Sequence, residues 1–452
     1  MMNWNGVLVA LSLLGAVTAV DAQTPEQGAP TAQASPQGSI PMITPPLQAG
    51  PEVIAERSVP VPYQVLPDNR VTFRLKTIPQ ALRVELQGDW PGGIGGRTAL
   101  PMTRDQHGYW TVTTPAPLPS DVWEYSFAVN GVTVMPSFGS ADSRLVGLTA
   151  REMDEARILP ADNFVIPGAY GNDFIPQGTP RGSLVYAHVP FMGSTKDIEV
   201  YLPPGYYEHP ERKYPVLYLT MGGAGTPGGG NDAGGEDPQI MMFENLFASG
   251  RARPMIVVSF SPSAPGGDSL GWSPVAGGGN RTGPKYIESA DNIATTLVPW
   301  VDHAFRTLRN REDRAIGGFS SAGAQGFMAG ARHPDEFATV FAFSGGFPTW
   351  PDVAVQIHST LDPSQYRGPD LDRVPDPAKL GSLIPRFDAT AHMKLVALYV
   401  GTAEPLIQTF QVMKKFLDGR GIQYVAVENP GQIHDGRNIR VSLHDLLPRL
   451  FR

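Results

Sequence analysis

The stretch AIGGFSSAGAQGFMAGARHP, residues 315–334, passes from an apolar, strand-like segment through Gly-Gly-Phe-Ser-Ser-Ala-Gly into a helical pattern. A serine hydroxyl is a weak nucleophile unless a base takes its proton and the backbone holds it clear of the sheet. A very sharp strand-to-helix turn meets the second condition, and it requires small residues two before and two after the serine. For Ser320 these are Gly318 and Ala322; for Ser321 they are Phe319 and Gly323. Phenylalanine at the close-packed preceding position predicts a clash, so Ser320 is the candidate nucleophile. The Ser321 amide, at the helix N-terminus, then points where an oxyanion would form. The bland alternative is a Gly/Ser turn that only joins a strand to a helix.

Around this turn the chain alternates strand and helix. The runs YPVLYLTMG, PMIVVSFSP, RAIGGFS, TVFAFSGG, KLVALYVG and QYVAVEN are short, apolar and rich in Val, as strands covered on both faces are. A helical pattern lies between them at Ile293, Leu297, Trp300, Val301, Ala304 and Phe305. This predicts an α/β domain over 181–452, a mainly parallel, doubly wound sheet. The Gly-rich segment 222–235 has neither the Gly-Lys-Ser/Thr ending nor the dinucleotide spacing of a phosphate loop.

The N-terminal third reads differently. Residues 1–22 carry an apolar run from Val7 to Val20 and small residues placed for cleavage after Ala22, the pattern of a secretory signal peptide, although no Lys or Arg precedes the run. Residues 23–60, rich in Pro, Gln, Ala and Ser, are expected to form a disordered tether. From 61 to 150 the period is two. Val71, Phe73 and Leu75 alternate with polar residues, as do Leu82, Val84 and Leu86, and Trp123 to Val129 lead through Asn130-Gly131 into Val132 and Val134. Short half-buried strands with such a hairpin turn predict an immunoglobulin-like β-sandwich. Residues 151–180 read as a connector.

With 452 residues, 17% charged and a net charge of −8, the chain lacks the clustered Lys and Arg that bind nucleic acid or anionic membranes. It has no cysteine, hence no disulfide, thiol nucleophile or thiolate metal site. Export without disulfides suggests a bacterial periplasm or the cell exterior.

A nucleophilic serine needs a histidine, and in α/β-hydrolases the acid and then the base follow it in the chain. Of nine histidines, His333, His358, His392, His434 and His444 lie downstream of Ser320. His333 ends the elbow's own helix, and His444 lies on an amphipathic helix with Leu443, Leu446, Leu447 and Leu450, where it reads as solvated. His434, directly after the last strand, sits on the edge where such sheets build sites, and is the candidate base. Glu404, at the mouth of KLVALYVG, is the candidate acid, with Asp435 as its rival. Gly222 or Gly223 is expected to supply the second oxyanion N–H. The chemistry requires no metal and no organic cofactor.

Taken together, KYPVLYLTMGGAG, SGRARPMIVVSFSP, the elbow region, LYVGTAEPL and NPGQIHDGRNIRVSLHDLLPRLF resemble the esterase family that includes esterase D, enterochelin esterases, and feruloyl and acetylxylan esterases. The preceding segment resembles the early-set domains related to carbohydrate-binding modules, in which Trp90, Trp110 and Trp123 are either sugar platforms or core residues. The resemblance implies a serine esterase with the family's serine at Ser320, acid at Glu404 and histidine at His434. It implies an ester substrate, with polysaccharide-linked acyl groups favoured and a siderophore ester, acyl transfer to a sugar hydroxyl or a non-catalytic binding role as rivals. Met221-Gly222 replaces the family's His-Gly, Ala322 its first glycine after the elbow, Glu404 its usual Asp, and Gln432-Ile433 its glycines before the histidine.

Overall fold

The computed structural model describes residues 63–88, 98–134, 163–175, 177–221, 238–262, 284–347, 381–404 and 406–452. The expected signal peptide and tether, Trp90, Gly222, Gly223 and His358 lie outside them. The N-terminal strands are β1 (Tyr63–Val65), β2 (Val71–Lys76), β3 (Val84–Gly88), β4 (Thr98–Pro101), β5 (Thr103–Arg104), β6 (Tyr109–Thr113), β7 (Asp121–Val129), β8 (Val132–Val134) and β9 (Asn163–Ile166). They form two antiparallel sheets, one ordered β1-β2-β6-β5 and the other β4-β3-β7-β8, with β9 paired to the start of β7.

Phe73, Leu75, Leu86, Trp110, Trp123, Tyr125, Phe127 and Phe164 pack between the sheets, so alternation along the strands produces a shared apolar core. Trp110 and Trp123 are core residues, 8% and 0% exposed. Asn130 and Gly131, with φ of 50° and 83°, make the two-residue turn between Val129 and Val132 that the Asn-Gly pair predicts. Two readings change. Leu82 is 89% exposed and precedes β3, whose inward set begins at Val84. The expected connector contributes β9, whose Phe164 and Ile166 complete the core.

The remaining strands are β10 (Ser183–Phe191), β11 (Ser194–Leu202), β12 (Val216–Thr220), β13 (Ile256–Phe260), β14 (Arg314–Phe319), β15 (Thr339–Phe343), β16 (Leu395–Gly401) and β17 (Val425–Asn429). Among the described residues they form one sheet ordered β10-β11-β13-β12-β14-β15-β16-β17. The β10–β11 hairpin joins antiparallel at one edge; β13 to β17 run parallel. The helices are α1 (Pro238–Ala248), α2 (Pro284–Asn292), α3 (Val298–Ala304), α4 (Ser320–Arg332), α5 (Ile407–Gly419) and α6 (Gly436–Leu446), with a π-helical turn at Ile293–Leu297.

The central strands are buried on both faces, and their alternate residues feed two apolar layers. Val216, Tyr218, Ile316 and Val340 meet Leu297, Val301, Phe327 and Met413 on one face. Leu217, Leu219, Phe341 and Tyr399 meet Phe243, Leu246, Leu443 and Leu446 on the other. Val122 of β7 belongs to this second layer, so the N-terminal sheets and the α/β sheet share a hydrophobic cluster and lie in one compact unit.

From β12 the chain first adds β13 on one side and then β14 on the other. Open α/β sheets place their sites beyond the carboxyl ends of the strands at such a reversal, here β12 and β14. Ser320 follows β14 directly.

Candidate active site

Ser320 has φ of 58°, in the left-handed region that a non-glycine residue enters only when its surroundings enforce it. Those surroundings are close backbone contacts. A Cβ on Gly318 would stand 1.7 Å from the Thr220 carbonyl oxygen, and one on Gly323 would stand 2.1 Å from the Gly318 carbonyl oxygen. Thr220 Oγ1 lies 3.0 Å from the Gly317 carbonyl and 2.9 Å from that of Ala322, clasping the turn from the neighbouring strand. Because a backbone oxygen cannot withdraw as a side chain can, Gly318→Ala is expected to lower stability by about 3 kcal/mol. Urea unfolding followed by circular dichroism checks this; a change below about 1 kcal/mol would contradict the packing argument.

His434 lies in the loop between β17 and α6. Its Nε2 is 2.9 Å from Ser320 Oγ and its Nδ1 is 2.5 Å from Glu404 Oε2. A carboxylate oxygen only accepts, so Nδ1 carries the proton, and in the neutral ring Nε2 faces the serine hydroxyl as an acceptor. The Phe319 ring stacks on the imidazole, with centroids 4.4 Å apart and planes at 26°. The structure thus brings Ser320, Glu404 and His434 together from positions far apart in the chain.

Glu404 is 4% exposed and held by partners that the sequence does not announce. Its Oε1 accepts from Ser344 Oγ (2.5 Å), the Gly401 N–H (2.7 Å) and Asn438 Nδ2 (2.9 Å). Asn438 Nδ2 also donates to Ser344 Oγ, and its Oδ1 accepts from Asn429 Nδ2, which donates to Ser442 Oγ as well. Ser344 has φ of 49° and is fully buried. With three donors on one oxygen and His434 on the other, the carboxylate keeps a fixed orientation.

Asp435, the rival acid, has another role. Its carboxylate accepts from the Asn438 N–H and caps α6, while burial pushes its carboxyl above the ordinary range. Ser321 is half-buried in the first turn of α4, where amides have no intrahelical acceptor. Met221 is buried, and its N–H donates to the Phe260 carbonyl within the sheet.

His444 is not a solvated residue. Its Nε2 is 2.8 Å from Asp173 Oδ2, and its ring lies against Tyr170. Burial alone would raise the Asp173 carboxyl, but hydrogen bonds from Arg251 and His444 hold it below its usual value. Among the described residues no group of three or more His, Cys, Asp or Glu is placed to hold a metal ion. No helix among them is long and apolar enough to cross a membrane.

Residues 190–367 match the family "Esterase", described as "Putative esterase". Esterase Rv1288 of Mycobacterium tuberculosis is 30% identical over 169 residues, covering 37% of this chain and 33% of the relative. The endo-1,4-beta-xylanase/feruloyl esterase of Xylanibacter ruminicola is 25% identical over 259 residues, covering 56% of this chain and 32% of the relative. The matches thus span about a third of the length of these relatives. The enterobactin esterase FES from Shigella flexneri has a similar fold, with a TM-score of 0.51 at 16% identity, over 85% of this chain and 95% of that one. Residues 190–367 thus match an esterase family model, and the fold is similar to that of a solved esterase structure.

Proposed function

We propose that the chain is an exported serine hydrolase of carboxylic esters working through an acyl-enzyme. The hydrogen-bonded series Ser320, His434, Glu404 carries this reading. In the proposed reaction Ser320 Oγ attacks the ester carbonyl carbon as His434 Nε2 takes its proton, and Glu404 stabilises the resulting imidazolium. The negative charge developing on the carbonyl oxygen is met by the Ser321 N–H and by an N–H from Gly222 or Gly223. Collapse breaks the bond to the alcohol, which leaves with the proton from His434. Water then attacks the acyl group with His434 again as base, and the acyl–Ser320 Oγ bond breaks as His434 returns the proton to Oγ, releasing the free acid.

For substrate we favour acyl groups on carbohydrate, feruloyl or acetyl esters, a reading supported by the sequence likeness to the Xylanibacter xylanase/feruloyl esterase. The apolar run from Val7 to Val20 and the small residues before Gln23 support a signal peptide, hence a periplasmic or secreted protein. The two antiparallel sheets support an immunoglobulin-like early-set reading of the N-terminal part.

The test is a panel of feruloylated oligosaccharide, acetylated oligosaccharide and a cyclic catecholate ester, each with and without an added sugar acceptor. Release of ferulic or acetic acid from the oligosaccharides is the expected result. Preference for the cyclic catecholate would replace the carbohydrate reading with the siderophore one. Acyl transfer to the acceptor outrunning hydrolysis would make the protein a transferase, and no turnover of any ester would defeat the enzymatic reading.

A further inference from the structure

The loop carrying His434 is tied at both ends. At one end the Ala403 N–H donates to the Gln432 carbonyl (3.0 Å), and Gly401 permits the approach, since a Cβ there would stand 2.2 Å from the same oxygen. At the other end the first turn of α6 reaches the β-sandwich. Arg437 Nε and Nη2 both donate to Asp121 Oδ2 (3.0 and 2.6 Å), and its guanidinium lies 3.9 Å from the centre of the Trp123 ring. Arg440 Nη2 donates to the Val122 carbonyl (3.0 Å), and its Nη1 is 3.4 Å from Glu124 Oε1. Four consecutive residues of β7 therefore grip one turn of α6, and Val122 anchors that strand in the apolar layer containing Leu443 and Leu446.

Asp121, Trp123 and Arg440 are buried, at 5%, 0% and 5% exposure. A desolvated ion pair of this kind adds little net stability, but it imposes a defined geometry, because losing either partner strands a charge. Arg437 is three residues from His434, and between them Asp435 caps the helix while Gly436 packs closely against Glu124, where a Cβ would stand 3.1 Å from Oε1. The connection from sandwich to imidazole is thus short and has no slack segment.

We propose that the N-terminal sandwich is a positioning module of the active site: β7, through Asp121 and Trp123, holds Arg437 and thereby keeps His434 in register with Ser320. Arg437 and Asp121 are positioning residues that touch no reacting atom. The face of Trp123 is occupied by a guanidinium, so this tryptophan offers no platform to a sugar ring. The inference rests on the hydrolase reading for its kinetic consequence and on geometry alone for its structural one.

The test uses the full chain with Arg437→Met, which keeps the side chain's length and removes its charge, and Arg437→Lys, which returns a cation. Asp121→Asn, nearly isosteric, serves where Arg437→Met fails to fold. The expected result for Arg437→Met is a fall in kcat of at least about tenfold with little change in KM, because displacing a catalytic group by a fraction of an ångström is costly. Arg437→Lys should recover part of that loss. In parallel, the downfield NMR resonance of the His434 Nδ1 proton bonded to Glu404 should shift or exchange faster in Arg437→Met and return toward its original state in Arg437→Lys. An unchanged resonance in a folded Arg437→Met or Asp121→Asn protein overturns the proposal, as does a kcat loss no larger than the loss of folded fraction. Because the resonance needs no ester turnover, a protein inactive on every ester whose resonance still moves would defeat the hydrolase reading and uphold the positioning one.

Discussion

Replacing Ser320 with alanine is expected to lower kcat by about a millionfold, since removing the nucleophile of such an assembly costs nearly as much as removing the whole set. KM should move little, because Ser320 Oγ bonds to the substrate carbon only as the reaction proceeds. Ser321→Ala retains the backbone N–H assigned to the oxyanion, so it should cost far less. The contrast between adjacent serines separates nucleophile from oxyanion donor in steady-state assays on a chromogenic short-chain ester. Equal losses in the two variants would remove the distinction drawn from the elbow.

Glu404→Gln is expected to lower kcat about ten-thousandfold, and the cause is the wrong histidine tautomer. Oε1 faces only donors, from Ser344, Gly401 and Asn438, so the amide oxygen of a glutamine should occupy that position. Its NH2 group would then face His434 Nδ1, driving the imidazole proton to Nε2, where it blocks acceptance from Ser320. Stability should fall far less than activity, because the buried hydrogen-bond partners are kept. Steady-state kinetics beside thermal unfolding separate the two effects, and a kcat within tenfold of the original would contradict the orienting role of Glu404.

The central architecture was legible because both of its signals are local. Five apolar runs buried on both faces became β12 to β16, a sixth, half-exposed at the sheet edge, became β17, and the steric demands of one turn singled out Ser320. The β10–β11 hairpin escaped because it is an edge pair with a half-exposed first strand, and its turn residues are Met192 and Gly193, at φ of 50° and 73°, without the usual Asn or Asp. Strand β9 has four residues, too few for a period to register.

Around the site, the residue types needed for chemistry could be picked out along the chain, but their supports could not. Ser344 and Asn438 are ordinary polar residues until the fold sets them against Glu404 across 60 and 34 positions of sequence. Arg437 reads as a surface cation until it meets Asp121 across 316. Phe319, read from the sequence only as an obstacle to Ser321, also lies against His434. Polar networks and domain contacts of this kind have no periodic signature, because their geometry depends on where distant backbone ends up.

The most direct test of the account is mass spectrometry of the protein after reaction with a small fluorophosphonate, which traps a serine activated by a neighbouring base. The account predicts one stable phosphonyl adduct on Ser320, absent from Ser320→Ala and strongly slowed in His434→Ala. No adduct, or one carried by Ser321 with Ser320 unmodified, would contradict it.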